Sequence, residues 1–135
     1  MIYKANSYGR VGILAYKKIC DLRGRILKEE DIVKIWKECC REENLSQTSI
    51  DKGCPRGAFI GILKELPLNI IWTKKESKNS NYSKIGIKIL KENRNKNYTG
   101  QELWKEILKE LNIEKKALNG QTDIILALCN MGVLK

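Results

Sequence analysis

The sequence predicts an all-α protein of about six helices, arranged as two pseudo-repeated three-helix units that share one core. Three observations carry that expectation. Apolar residues recur at three- and four-residue spacing in six segments, the period of an amphipathic helix. The segments are set off by capping residues, glycine or proline. Three local patterns of the first half also return, in the same order, in the second.

The first helix is expected over residues 7–21, behind Asn6 or Ser7 as cap, with Tyr8, Val11, Ala15 and Ile19 along one stripe and Gly24 after its end. The second is expected over residues 28–42. Its first turn holds Glu29, Glu30 and Asp31, where the helix dipole favours acids, and its apolar face is Ile32, Ile35, Trp36, Cys39 and Cys40. The polar string ENLSQTS then leads to IDKGCPRGAFIGIL, residues 50–63. Pro55 suits a first helical position, because the N–H it lacks has no intrahelical partner there. The third helix, around Ala58 to Leu63, is apolar on nearly every side and reads as a buried axis that stops before Pro67.

Residues 68–81 read as a connector in which Ile70, Ile71 and Trp72 make a short extended segment. A fourth helix is expected over residues 82–93 behind Ser80 or Asn81, striped by Ile85, Ile89 and Leu90. Thr99 and Glu102 have the spacing of a capping box for a fifth helix over residues 100–111, with Leu103, Trp104, Ile107, Leu108 and Leu111 on its apolar face. Asn119, Gly120, Gln121 and Thr122 introduce the sixth, IILALCNM, which ends at Gly132.

The repeat aligns Tyr8–Ile13 with Tyr82–Ile87, Trp36-Lys37-Glu38 with Trp104-Lys105-Glu106, and Gly53 with Gly120. It divides the single domain, residues 1–135, into unit one at about 6–67, the connector, and unit two at about 82–134. Trp36, Trp104, Phe59 and the third and sixth helices are the expected core. Gly12 and Gly86 lie inside helices, where glycine costs roughly 0.5–1 kcal/mol against alanine, so close approach of another helix is the expected compensation.

The formal net charge of +10 is unevenly spread. Residues 1–25 carry six cations and one anion, residues 74–96 carry eight and two, and the remainder is nearly balanced. Both basic blocks fall on the first helix of a unit, and Arg10/Lys17 and Lys84/Lys91 are each seven residues apart, on one helical face. These faces read either as solvated surface or as a phosphate-binding surface made of Arg10, Lys17, Lys84, Lys88 and Lys91 with Lys74, Lys75 and Lys78 of the connector. Contacts of that kind are weakly sequence-specific and strongly salt-dependent. A helix-turn-helix reader is disfavoured, since the third and sixth helices offer few polar side chains to base edges.

Asp51 to Gly57 lacks the spacing of a phosphate-binding G-x-x-x-x-G-K-[ST] loop. It reads as a tight turn delivering a buried helix, or as an anion pocket in which Lys52, Gly53, Cys54, Arg56 and Gly57 surround a helix N-terminus. The matching loop of unit two offers Asn119, Gln121 and Asp123, which would supply an edge for a base or sugar if both loops face one cleft. No catalytic residue is assigned: the chain has no histidine to activate Cys54. The five cysteines, Cys20, Cys39, Cys40, Cys54 and Cys129, show no C-x-x-C spacing and read as buried thiols of a reducing compartment. No metal site, cofactor or membrane span is expected, and the start MIYKANSYGR has no apolar signal stretch, which points to the cytosol.

The strings GCPRGAF, TKKESKNSNYSKIGIKIL and NGQTDIILAL together resemble a family of short bacterial and phage proteins of unknown function, over most of residues 8–134. The resemblance implies a single compact domain of prokaryotic or phage origin, and no activity. On the residues, the leading expectation is a non-enzymatic basic protein that binds an anionic partner, nucleic acid first. Binding of a small phosphate-bearing molecule such as a nucleotide signal, or docking on an acidic protein surface, are the alternatives.

Overall fold

Asn6 opens the first helix of the computed structural model, which describes residues 6–22, 24–73 and 77–133. Its side-chain oxygen accepts a hydrogen bond from the Gly9 N–H at 2.9 Å and so satisfies one of the helix's orphan donors. The chain then runs α1 (Ser7–Asp21), β1 (Leu27–Lys28), α2 (Glu29–Glu42), α3 (Gln47–Asp51), α4 (Gly53–Lys64), β2 (Ile70–Ile71), α5 (Lys78–Glu92), α6 (Gly100–Glu110) and α7 (Gln121–Asn130). The class is therefore all-α, with seven helices among the described residues.

Three local details differ from the sequence reading. The string after α2 contains α3, because the Ser46 hydroxyl accepts from the Ser49 N–H at 3.2 Å and Ile50 is buried beneath the turn. The third expected helix, α4, begins at Gly53 rather than Pro55, which is still within the first turn, where a missing N–H is harmless. The fourth, α5, begins four residues earlier than expected. Ser77 caps it, and its hydroxyl accepts from the Ser80 N–H at 3.2 Å while Ser80 Oγ accepts from the Ser77 N–H at 2.9 Å. Ser80 is thus the far half of a cap, and is 4 % exposed. The Thr99–Glu102 box forms as its spacing predicts, with reciprocal bonds of 3.0 and 3.1 Å.

Ile70 and Ile71 do extend. They form a two-residue parallel pair with Leu27 and Lys28, Leu27 opposite Ile70 and Lys28 opposite Ile71. So short a sheet is marginal alone and rests on packing against the helices.

Buried residues of α1, α2 and α4 to α7 join in one hydrophobic cluster. Trp36 and Phe59 are fully buried, with ring centroids 5.1 Å apart, and Trp104, 3 % exposed, meets Tyr82 edge-on at the same separation. Pairs of this geometry contribute roughly 0.5–1.5 kcal/mol beyond area burial. The helix pairings repeat. α1 packs against α2 and chiefly against α7, as α5 packs against α6 and chiefly against α4, while α4 and α7 touch each other at the centre. Close approach at the helical glycines is what permits this: a Cβ on Gly12 would sit 2.9 Å from Ile124 Cγ2 of α7, and one on Gly86 3.0 Å from Ile125 Cδ1.

The ends of α2 and α6 also correspond. Asn44 and Asn112 both have positive φ, 59° and 57°. In each, the following residue reaches back, Leu45 N–H to Cys40 O and Ile113 N–H to Leu108 O. That is the left-handed helix stop for which asparagine is the usual alternative to glycine.

Candidate functional site

The two central helices begin differently from α1, α3, α5 and α6. Those four are capped by the side chains of Asn6, Ser46, Ser77 and Thr99. α4 starts behind Lys52 and α7 behind Gly120, and neither has a side-chain cap. Uncapped first turns leave N–H groups directed outwards with the positive end of the helix dipole behind them.

The two mouths are connected through the start of α5. A Cβ on Gly57 would lie 2.9 Å from Asn79 Cβ. Asn79 Oδ1 accepts from Gln121 Nε2 at 3.2 Å, and Gln121 Oε1 accepts from the Asn119 N–H at 2.6 Å. The loops of residues 52–57 and 119–123 are therefore neighbours. Gln121 is fully buried and engaged at both ends of its amide, so it braces the mouths. Asn119 is half-buried, and the Asp123 carboxylate lies 3.0 Å from where a Cβ on Gly100 would be, turned towards the start of α6.

The mouths are not equally open. At α7, Tyr8 covers Gly120 so closely that a Cβ there would sit 2.6 Å from Tyr8 Cδ2. At α4, a Cβ on Gly53 would meet only Arg56 Nη2, at 3.8 Å. Tyr82, the counterpart of Tyr8, instead lies under Lys116, whose Nζ is 5.5 Å from the ring centroid. Lys116 has its pKa raised, chiefly by Tyr82 and in smaller part by the nearby Cys54 thiol. The α4 mouth thus gathers exposed Lys52, half-buried Cys54 and Arg56, and exposed Lys116, with Lys78 next to the bridging Asn79. No acid occupies the first turn of α4 or of α5, and the Asp51 carboxylate is held by Gln47 Nε2 at 3.1 Å.

The basic helix faces are partly neutralised. Arg10 Nε pairs with Glu43 at 2.7 Å, Lys18 Nζ with Glu42 at 2.9 Å and Lys88 Nζ with Glu110 at 3.5 Å. In each case a first helix is tied to an acid at or just past the end of the second helix of its half. Lys17, Lys84 and Lys91 are exposed. Lys84, Lys88 and Lys91 line an open groove of about 570 Å³ along α5, shared with Glu65 and Glu92. Lys74 and Lys75 lie outside the described residues.

Burial pushes the thiols of Cys39 and Cys40 up to about 11, and that of Cys129 upwards. Among the described residues no three His, Cys, Asp or Glu side chains gather as a metal site would require, and no helix is long and apolar enough to cross a membrane. Asn79 and Lys116 are the members of the site that the sequence reading missed. Asn79 sat in a string read as loop, and Lys116 carries no motif; only its register against Ser49, the matching position of unit one, points to it.

A family model described as a family of unknown function, DUF6979, matches residues 5–135, nearly the whole chain. A search of curated proteins and one of solved structures each return no match.

Proposed function

We propose, for a chain that belongs to DUF6979 and so inherits no assigned activity, that it binds an anionic partner through phosphate contacts, with nucleic acid as the partner class. The observation that carries this reading is the α4 mouth: an uncapped helix start, free of first-turn acids, beside Lys52, Arg56 and Lys116. The N–H groups and cations there take one phosphate. Lys84 and Lys91 of α5, with Lys17 of α1, extend the electrostatic surface. The halves are treated as two copies of one unit, for which the repeated helix pairings and the Asn44 and Asn112 stops speak. On that view the open α4 mouth is the copy freed for binding and the α7 mouth the copy closed by Tyr8.

A labelled duplex and a labelled single strand, followed by fluorescence anisotropy, test the proposal. Three to four neutralised phosphates give a log–log salt slope of about −3 on duplex. Lys52→Glu with Arg56→Glu is expected to weaken binding more than tenfold and to flatten that slope by about 2. No retention of either polymer at low salt rejects the nucleic-acid reading.

A second reading, a small phosphate-bearing ligand such as a nucleotide, is favoured by the compactness of the α4 mouth and by the ion pairs that occupy Arg10 and Lys88. A nucleotide panel read by thermal shift tests it. A rise in Tm abolished by Arg56→Glu supports it, and no shift with any phosphate ligand rejects it.

A further inference from the structure

Among the described residues the exposed large apolar side chains are Ile26, Ile71 and Met131, at 64, 48 and 39 %. Two of the three sit together. In the β1–β2 pair, residues opposite each other share a face and successive residues alternate. Leu27 and Ile70 turn inwards, Leu27 being only 8 % exposed, while Lys28 and Ile71 turn outwards with Ile26 beside them. The outer face is thus two adjacent isoleucines and a lysine, left open to water.

The edges of this sheet are closed to a further strand. Leu27 N–H donates to Asn69 O at 3.1 Å, so the alternate N–H groups, those of Lys28 and Ile70, point away from the pair. Lys28 N–H is taken by the Asp31 carboxylate at 2.8 Å, and Ile70 N–H turns back to Leu68 O at 3.0 Å. Side chains remain as the means of contact. The apolar pair is flanked by cations: exposed Arg25 and Lys28, and Lys64, whose Nζ lies 5.5 Å from the ring of Trp72 next to β2. Against these three stand the exposed acids Glu30 and Glu65.

We propose that the outer face of β1–β2 docks an acidic amphipathic helix of a partner protein, its apolar stripe on Ile26 and Ile71 and its carboxylates on Arg25 and Lys28. A second copy of this chain fits less well. It would bring Arg25 and Lys28 of both copies together, and two isoleucines fall far short of the ~800 Å² per partner that a stable dimer buries. A short helix needs less area and brings the complementary charge. The interaction is of the weak, transient class.

The probe is a labelled synthetic helix with leucine along one stripe and glutamate elsewhere. Two controls accompany it, one with lysine in place of glutamate and one with glutamine in place of leucine. The acidic amphipathic peptide is expected to bind the full chain at least tenfold more tightly than either control. Ile26→Asp with Ile71→Asp removes that preference, and Lys28→Glu, a surface change that does not threaten folding, weakens it several-fold. Binding that is absent, equal for the lysine peptide, or untouched by Lys28→Glu overturns the proposal. So does a concentration-dependent dimer in sedimentation that the Ile26→Asp and Ile71→Asp chain loses, which assigns the face to a second copy. A labelled duplex that displaces the acidic peptide with Lys28→Glu abolishing both also overturns it, in favour of nucleic acid.

Discussion

Tyr8 lies against Gly120 so closely that a Cβ on the glycine would be 2.6 Å from the ring, at a position where the backbone already has φ of 83°. Both facts oppose any side chain. Gly120→Ala is expected to destabilise the fold by at least ~2 kcal/mol, the sum of a left-handed conformation and an overpacked ring. Its counterpart Gly53 is open, so Gly53→Ala should be neutral or stabilising by less than about 1 kcal/mol. Urea denaturation of the two variants checks the contrast; equal losses would mean that the mouths do not differ.

The α6 cap gives a cleaner number. Thr99 Oγ1 accepts from the Glu102 N–H, and the Glu102 carboxylate accepts from the Thr99 N–H. Thr99→Ala should cost about 1 kcal/mol. The Glu102 pKa is lowered, first by the backbone N–H of Thr99 and then by its hydroxyl. A depressed carboxylate stabilises the fold above its unfolded pKa, and that stability is lost as pH falls through the folded value. The Thr99→Ala chain should accordingly show a shallower loss of stability below about pH 4.5.

Cys39 and Cys40 predict the behaviour at the other end of the scale. Their thiols, ordinarily near 9.0, are pushed up to about 11 by burial. The contribution is fully present below the unfolded pKa and is lost as pH rises from about 9 towards 11, because only the unfolded chain ionises freely there. Stability should fall across that window, and Cys39→Ala with Cys40→Ala should flatten the fall. At neutral pH both thiols should resist alkylation in the folded protein, while half-buried Cys54 is modified.

The two matched tryptophans differ in one bond. Trp104 Nε1 donates to Lys116 O at 2.8 Å, whereas Trp36 Nε1 is buried with no partner. Trp→Phe at 104 removes a hydrogen bond that fixes the segment carrying Lys116, while at 36 it removes an unpaired donor. The loss at 104 should exceed that at 36 by about 1 kcal/mol, measured by chemical denaturation.

Much of this fold was legible because its helices are strongly amphipathic and locally punctuated. α1 needed only Asn6 and an apolar stripe, and α6 needed Thr99, Glu102 and five apolar residues. The start of α5 was missed because Ser77 and Ser80 cap each other with hydroxyls, inside a run whose polarity reads as loop. α3 was missed because a single buried residue, Ile50, has no periodicity to display. Ile70 and Ile71 read as extended, yet their partner Leu27–Lys28, far away in the chain, left no local trace. The candidate site divides in the same way. Lys52 and Arg56 were visible as cations at a proline-marked helix start. Asn79 and Lys116 arrive only through tertiary contact, which spacing does not encode.

The crossed pairing of α1 with α7 and α5 with α4 has a consequence for how the chain can be divided. Each half keeps the principal packing partner of the other's first helix, so neither half carries a complete core. A break introduced between Trp72 and Ser77 should leave two fragments that are unfolded when expressed separately and that assemble when mixed. The molecule would then serve as a split reporter, its reconstitution read by the recovery of helical circular dichroism.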